Sequence, residues 1–466
     1  MADAPATLTP RDLDQLRRTF RGDVITPGDA SYDEARRLWN AVHDRRPAVL
    51  LRPRDAGEVG TAIRFAREQG FALAIRSGGH SPAGHSTCDG GLVLDMSAMR
   101  GVVTDPATGV ARAGGGALLG ELDVSAQAHG LVCPVGVVGH TGVAGLTLGG
   151  GVGRLQRNFG LTLDNVLAVE LVTAEGRLVR ASETEEPELF WGMRGAGWNF
   201  GVVTAFELRL HPFAGTLNRG LLVYPASEAR AVWATFREYA LRAPDTVSLI
   251  MGMDRAGPTV PVPEALEGRP IVYVAYNHSG AADEVEQATA GLRAGPSPVA
   301  ETLGVAQYLE VQTAHDLVLG WGRRSYIAGA NADDIRPEAL DQLAELVATA
   351  PGEGTFSVTA LGGAIGRVPE DAMAFAGRAA GFDLSADASW DDPVLDDANR
   401  AWVRAAMAVV EPDTTLGRYA NENAEAGPEQ TRLIYGDEKV ARLAALKRAW
   451  DPANVFALNH NVAPAP

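Results

Sequence analysis

Glycine is the residue that most limits what this chain can build. It occurs 53 times in 466 residues, and it concentrates between positions 70 and 205. Three clusters stand out: Ser77-Gly78-Gly79-His80, the long run at 134–153, and Gly195-Ala196-Gly197-Trp198-Asn199-Phe200-Gly201. A residue without Cβ lets backbone N–H groups converge on an anion and adopts left-handed dihedrals that other residues resist. The run at 134–153 is too glycine-rich for a regular core element and too apolar for a solvated linker. It reads as backbone laid against a flat or extended ligand, with close packing of chain on chain as the alternative. No cluster is a G-x-G-x-x-G opening a helix after a strand, and none ends in Gly-Lys-Ser/Thr. A Rossmann dinucleotide site and a P-loop are therefore both excluded.

The first cluster presents a histidine. Residues 71–75 form a short apolar strand, the chain turns on Gly78-Gly79, and His80 follows. An imidazole fixed at the lip of a backbone nest is a nucleophile next to whatever the nest holds. A surface turn with an incidental histidine is the bland alternative. Upstream, helices are expected at 11–20 and 32–41, the second with Ala35, Leu38 and Trp39 on one face. A strand follows at 48–51. Asp55 can cap a helix running to Glu68, with Val59, Ile63 and Ala66 at helical spacing and Gly70 ending it. This is a βαβ unit. Further strands are expected at 91–94, 110–113 and 202–210, helices at 118–129 and 188–193, and a hairpin of 166–173 with 178–181.

Length predicts two domains. After His211-Pro212 glycine thins, and helices at 228–241, 281–294 and 337–348 interleave with strands at 219–223, 247–252, 271–276, 356–360 and 382–388. That pattern is α+β with a dominant antiparallel sheet. In the strand at 382–390, Asp383, Ser385, Asp387 and Ser389 share one face, expected to be solvated unless a ligand covers it. A last helix at 439–450 leads into Asp451-Pro452 and the loop Asn459-His460-Asn461-Val462. The net charge of −17 argues against nucleic acid or an anionic membrane as partner, and no apolar run is long enough to span a bilayer. Met1 to Thr19 has early acids and prolines and no apolar signal core, so a cytoplasmic address is expected. Two cysteines, Cys88 and Cys133, make no disulfide framework, although one bridge is possible. No metal site is expected.

Taken together, residues 76–84, 141–153, 190–203 and 451–462 resemble the FAD-linked oxidases of the berberine bridge enzyme-like group, which have the vanillyl-alcohol oxidase fold. The resemblance implies a two-domain α+β protein. Its FAD domain, two α/β subdomains, would come from residues 1–211 and 418–466, and an antiparallel-sheet substrate domain from 212–417. In the family the histidine after the paired glycines bonds covalently to the flavin 8α carbon, which here implies His80. His85 and His140 do not follow paired glycines, and His85 is expected to be structural. Around the cofactor the resemblance implies Arg76, Ser77, Gly78, Gly79 and Ser81, then Val137, Val138, Gly139, His140, Thr141, Gly142, Gly145, Leu146, Gly149, Gly150 and Gly153. Asn199, Gly201, Val203, Asn459 and Asn461 complete the set. Thr141 sits where relatives place the residue that controls oxygen access.

Many relatives add a second link through a cysteine, but the corresponding position here, counted back from Gly149-Gly150-Gly151, is Val138. Cys133 lies too early, so the chain resembles the singly linked branch. Tyr419-Ala420-Asn421-Glu422 matches a Tyr-x-Asn motif whose tyrosine assists deprotonation, with Glu422 standing where relatives usually carry an aromatic residue. A phenol titrates near 10 and needs a partner to act as base. Asp383 and Tyr326 are the further pocket candidates. The implied reaction is hydride transfer from a secondary alcohol, an amine or a natural-product ring to FAD, then to O2 with release of hydrogen peroxide. The partners would be a small-molecule substrate and O2, in a monomer or homodimer. A doubly linked sugar oxidase using Cys133, a flavin dehydrogenase with poor O2 reactivity, and a non-catalytic flavoprotein are the alternatives.

Overall fold

The computed structural model describes residues 8–257 and 262–466, so the first seven positions of the N-terminal stretch lie outside the described residues. The chain around the paired glycines is organised by a capped helix. Asp55 accepts a hydrogen bond from the Glu58 N–H at 3.0 Å, and Gly70, at φ 70°, closes Ala56–Gln69. One end thus gains an acceptor for an orphan N–H, and the other a residue free to turn left-handed. Val59, Ala62, Ile63 and Ala66 are fully buried. The helix lies with a four-stranded sheet ordered Asp23–Ile25, Val49–Arg52, Leu92–Asp95, Leu73–Arg76. Both flanking strands run parallel to Leu92–Asp95. The expected βαβ unit therefore has a third strand in its middle, and its last strand feeds directly into Ser77.

A second, five-stranded antiparallel sheet is ordered Val102–Asp105, Val110–Gly114, Val202–Arg209, Val166–Val172, Leu178–Ser182. It shares a core with Pro187–Ala196 and the C-terminal helix Pro428–Trp450, through Leu189, Phe190, Phe200, Ile434, Tyr435 and Leu443. That last helix bends at Gly436, φ 76°, and the expected helix at 439–450 is only its second part. Beyond it the chain is pinned by a buried ion pair. Lys447 Nζ donates to Asp451 at 2.8 Å, and to the Asn199 and Phe456 carbonyls at 2.8 and 2.9 Å. Both side chains are fully buried. Lys447→Met strands the Asp451 charge, and a loss of about 3–5 kcal/mol is expected in denaturant unfolding.

Residues 216–390 build a seven-stranded antiparallel sheet, ordered Ala300–Gln307, Thr216–Pro225, Pro270–His278, Val247–Arg255, Glu353–Ala360, Phe382–Trp390, Arg324–Ala332. Helices Ala229–Ala240, Pro337–Ala348 and Asp396–Val410 share a core with one face through Trp233, Phe236, Leu340, Leu343, Val403 and Val410. Phe382, Leu384, Ala386, Ala388 and Trp390 point into that core. Strand alternation sends Asp383, Ser385, Asp387 and Ser389 to the other face.

Several local expectations are corrected. The helix expected at 32–41 is only Tyr32–Ala35, because long-range bonds take the following residues. The Trp39 indole N–H donates to the Leu319 carbonyl at 2.6 Å, and Asn40 bridges both backbone groups of Ser325. The helix expected at 281–294 is broken into Val285–Thr289 and flanking 3-10 turns, with Gly291 packed against the Tyr239 ring. The glycine run does contain a regular element, the helix Val143–Gly149.

Candidate active site

His80 is partly buried among three rings, those of Trp39, His140 and Trp321. Gly79 at φ 71° makes the turn, and the imidazole stacks on Trp39 at 4.8 Å and 15°. Trp321 meets it edge-on at 6.3 Å. Its Nε2 lies 2.7 Å from His140 Nδ1. Burial, with His140 adding to it, pushes the His80 pKa down to about 3, so the ring stays neutral and keeps a nucleophilic lone pair. The rest of the decapeptide is spent on the fold. Arg76 is buried, donating to Asp95 at 2.5 Å and to the Ala35 carbonyl at 2.6 Å. Ser81 accepts the His85 N–H at 3.1 Å. Ser77 differs, because its hydroxyl is buried with no protein partner.

The glycines divide in the same way. A Cβ on Gly78 would fall 2.2 Å from the Gly142 nitrogen, so these two loops lie backbone to backbone. Gly149 packs on Trp198 and Asn421, Gly150 on Tyr419 and Phe375, and Gly153 on the Val135 carbonyl. Gly201 sits against Leu171 and Val172, and Val203 is in the core. Close packing of chain on chain accounts for these positions. Gly145 alone in the helix Val143–Gly149 faces open space. The Gly139 N–H donates to Asp316 at 2.7 Å, and the Thr141 N–H donates to the Val138 carbonyl at 3.1 Å. Val138 is buried and Val137 partly exposed. Leu146 accepts the Asn421 amide through its carbonyl at 2.9 Å.

Asn199 is likewise structural: its amide oxygen accepts the Val462 N–H at 3.0 Å and its NH2 donates to Ala196 and His460 carbonyls. The C-terminal loop it holds carries Asn459, His460 and Asn461, whose Oδ1, Nδ1 and Oδ1 atoms are buried without partners. The His460 ring lies 5.2 Å from that of His85, another buried ring with an unpartnered nitrogen.

Tyr419 and Asp383 meet at a small pocket walled also by Asn331, Val152, Leu361 and Phe375. The Tyr419 oxygen accepts N–H bonds from Gly151 at 3.0 Å, Val152 at 3.2 Å and the Asn421 amide at 2.9 Å. Burial pushes its pKa up to about 12, and these donors pull the other way. Asp383 is 3% exposed, and its Oδ1 has no partner. Burial, then Glu422, holds its carboxyl well above the usual range. Burial also pushes Glu422 up to about 7, against a Ser385 hydrogen bond. Asp387 is pushed up to about 7 by burial, Glu422 and Asp254.

The stripe expected to be solvated is buried at Asp383 and Ser385 and partly exposed at Asp387 and Ser389, with the partly exposed Glu422 beside it. Glu422 and Asp387 join Asp383 here, and the sequence signal for the first is the glutamate at 422 where relatives usually carry an aromatic residue. Tyr326 does not join them. Its ring is in the helix-side core, paired in register with Ala388, and its hydroxyl donates to Glu425 at 2.7 Å.

Known proteins match nearly the whole chain. Residues 47–182 match the model of an FAD binding domain, and residues 418–463 the model described as berberine and berberine like. (R)-6-Hydroxynicotine oxidase of Paenarthrobacter nicotinovorans is 33% identical over 96% of this chain and 97% of its own. The chain is a berberine bridge enzyme-like FAD-linked oxidase. The crystal structure of 6-hydroxy-D-nicotine oxidase from Arthrobacter nicotinovorans superimposes with TM-score 0.82 at 30% identity, covering 96% of this chain and 98% of that one. The glucooligosaccharide oxidase of Acremonium strictum, which carries a 6-S-cysteinyl, 8α-N1-histidyl FAD, has the same fold. Its TM-score is 0.85 at 20% identity, over 97% and 99% of the two chains.

For this berberine bridge enzyme-like oxidase the residues present fit FAD. Open space at Gly145 and the unpartnered polar atoms of Ser77, Asn459, His460 and Asn461 are what a polar, extended cofactor requires. Among the described residues no helix is long and apolar enough to cross a membrane.

Proposed function

We propose that this enzyme oxidises an amine, with FAD carried covalently on His80 alone and dioxygen as electron acceptor. The observation behind the amine is the acidic face that reaches the pocket at Asp383. Asp383 and Asp387 lie on one sheet face with Glu422 against them, and no lysine or arginine contributes to the shift of any of the three. Carboxyls gathered without a cation favour a substrate that brings one. The FAD-binding part in this reading comprises residues 1–211 and 418–466, and the substrate part 212–417. FAD, when bound, accepts a hydride from the substrate carbon and is reoxidised by dioxygen, which leaves as hydrogen peroxide.

The chain's own residues do the rest. Asp383 binds the ammonium through its unpartnered oxygen. Glu422, poised at about 7 beside Asp383, takes the ammonium proton so that the nitrogen lone pair can assist C–H cleavage. Tyr419, fixed by three donors, shapes the cavity beside Asp383, whose apolar wall at Val152, Leu361 and Phe375 receives the carbon skeleton.

A second link through Cys133 finds no support: the thiol is fully buried in the core, and burial drives its pKa upward, away from the nucleophilic thiolate. The test is peroxide release from a panel of cyclic secondary and tertiary amines, secondary alcohols and oligosaccharides. Amines are expected to be turned over. Turnover of oligosaccharides with no response to amines overturns the reading.

A further inference from the structure

The contact between His80 and His140 does more than hold a ring in place. His140 Nε2 faces the Asp316 carbonyl oxygen at 3.4 Å. A carbonyl only accepts, so this nitrogen carries the proton of a neutral His140, and its Nδ1 is left with a lone pair. That lone pair lies 2.7 Å from His80 Nε2, which must then be the protonated, donating nitrogen. By elimination the lone pair of His80 is on Nδ1. Asp316 is itself tied to the histidine's own loop, because its carboxylate accepts the Gly139 N–H at 2.7 Å.

Asp316 itself follows a helix, Tyr308–Thr313, locked from below. There Gln312 donates to Asp123 at 3.1 Å and to the Gly136 carbonyl at 2.9 Å, and accepts from Arg154 at 2.8 Å.

We propose that His140 is a positioning residue for cofactor attachment: it sets the tautomer that makes His80 Nδ1 the nucleophile and receives the proton that attachment releases. The inference rests on His80 being the FAD tether. In the step, the flavin 8α methyl group loses a proton and the His80 Nδ1 lone pair forms the new N–C bond. The electron pair of the broken C–H bond ends in the isoalloxazine, which is reduced by two electrons. The imidazole, now carrying one proton too many, passes the Nε2 proton to His140 Nδ1. Dioxygen takes the two electrons and two protons as hydrogen peroxide, so the sum is FAD plus imidazole plus O2 giving tethered FAD plus H2O2. His140 acts only while the bond forms.

The experiment uses full-length protein expressed under riboflavin starvation, then mixed with FAD and quenched in acid at intervals. Flavin retained on the denatured chain is read by fluorescence and intact mass. His140→Ala is expected to bind FAD without covalent linkage at first and to attach it about 10²-fold more slowly than wild type. Added imidazole restores the rate, which a merely structural role does not allow. His140→Gln keeps an acceptor for the His80 N–H but takes no proton, and is expected between the two.

Attachment by His140→Ala at the wild-type rate overturns the proposal. So does slow attachment in both variants with no response to imidazole. Wild-type protein without acid-stable flavin, or His80→Ala that retains it, removes the tether reading and this inference together. Loss of attachment in His80→Ala alone leaves the tether standing while the His140 variants decide.

Discussion

His80→Ala is expected to lose all flavin on acid precipitation, whereas wild type and Cys133→Ala keep it. The contrast follows from burial acting in opposite directions on two nucleophiles. The His80 ring, pushed down to about 3, remains neutral and reactive in its aromatic slot. The Cys133 thiol is fully buried, and its reactive form is the anion, which burial penalises. Intact mass of the denatured proteins makes the measurement, with FAD present on two and absent from the third. The native His80→Ala protein should still bind FAD, because the unpartnered atoms of Ser77, Asn459, His460 and Asn461 are unchanged. Flavin released by the cysteine substitution would overturn the single tether.

Asp383→Asn is expected to lower kcat/KM for the amine substrate by about 10–10²-fold, the loss of one charge-assisted hydrogen bond to the ammonium. The pH dependence carries the sign. With Glu422 raised to about 7 and Asp383 coupled to it, the cluster holds protons near neutrality and ionises as pH rises. Ionised carboxyls attract the ammonium, so kcat/KM should climb through about 7. In Glu422→Gln one like charge is gone, so the inflection moves to lower pH.

Stability runs the other way. A carboxyl whose pKa is higher folded than unfolded makes the folded state bind more protons, so unfolding free energy falls as pH rises from the unfolded value of 4.5 towards about 7 for Glu422. Glu422→Gln should flatten that decline in urea titrations at fixed pH. An unchanged profile for both properties would count against the acidic face as the substrate's binding surface.

Much of this was legible beforehand where signals were local. Asp55 and Gly70 bound their helix as capping chemistry requires, and the hairpin of Val166–Val172 with Leu178–Ser182 follows from alternation and a glycine turn. The double-glycine turn pointed to His80. What escaped was non-local. Alternation grouped Asp383 with Asp387, but whether that face met water depended on Glu422, which arrives from another segment. Glycines at 149, 150 and 153 are expected at the cofactor from the resemblance, and what their missing side chains also make room for, Trp198, Tyr419 and the Val135 carbonyl, is set by distant segments. Edge strand Ala300–Gln307 is exposed on both faces and so shows no hydrophobic alternation. The helix Asp396–Val410 did have its signal, in Trp402, Val403, Ala406, Met407 and Val410.

The pin at Lys447 also sets an order of events in biosynthesis. Asn199 receives the Lys447 ammonium on its carbonyl and the Val462 N–H on its side chain. The loop between them supplies Asn459, His460 and Asn461, and it is made some 260 residues after the wall it completes. A nascent chain that has already folded its paired-glycine turn still has an open cofactor groove until residues 447–462 have been translated. Completion of that wall thus waits on residues 447–462.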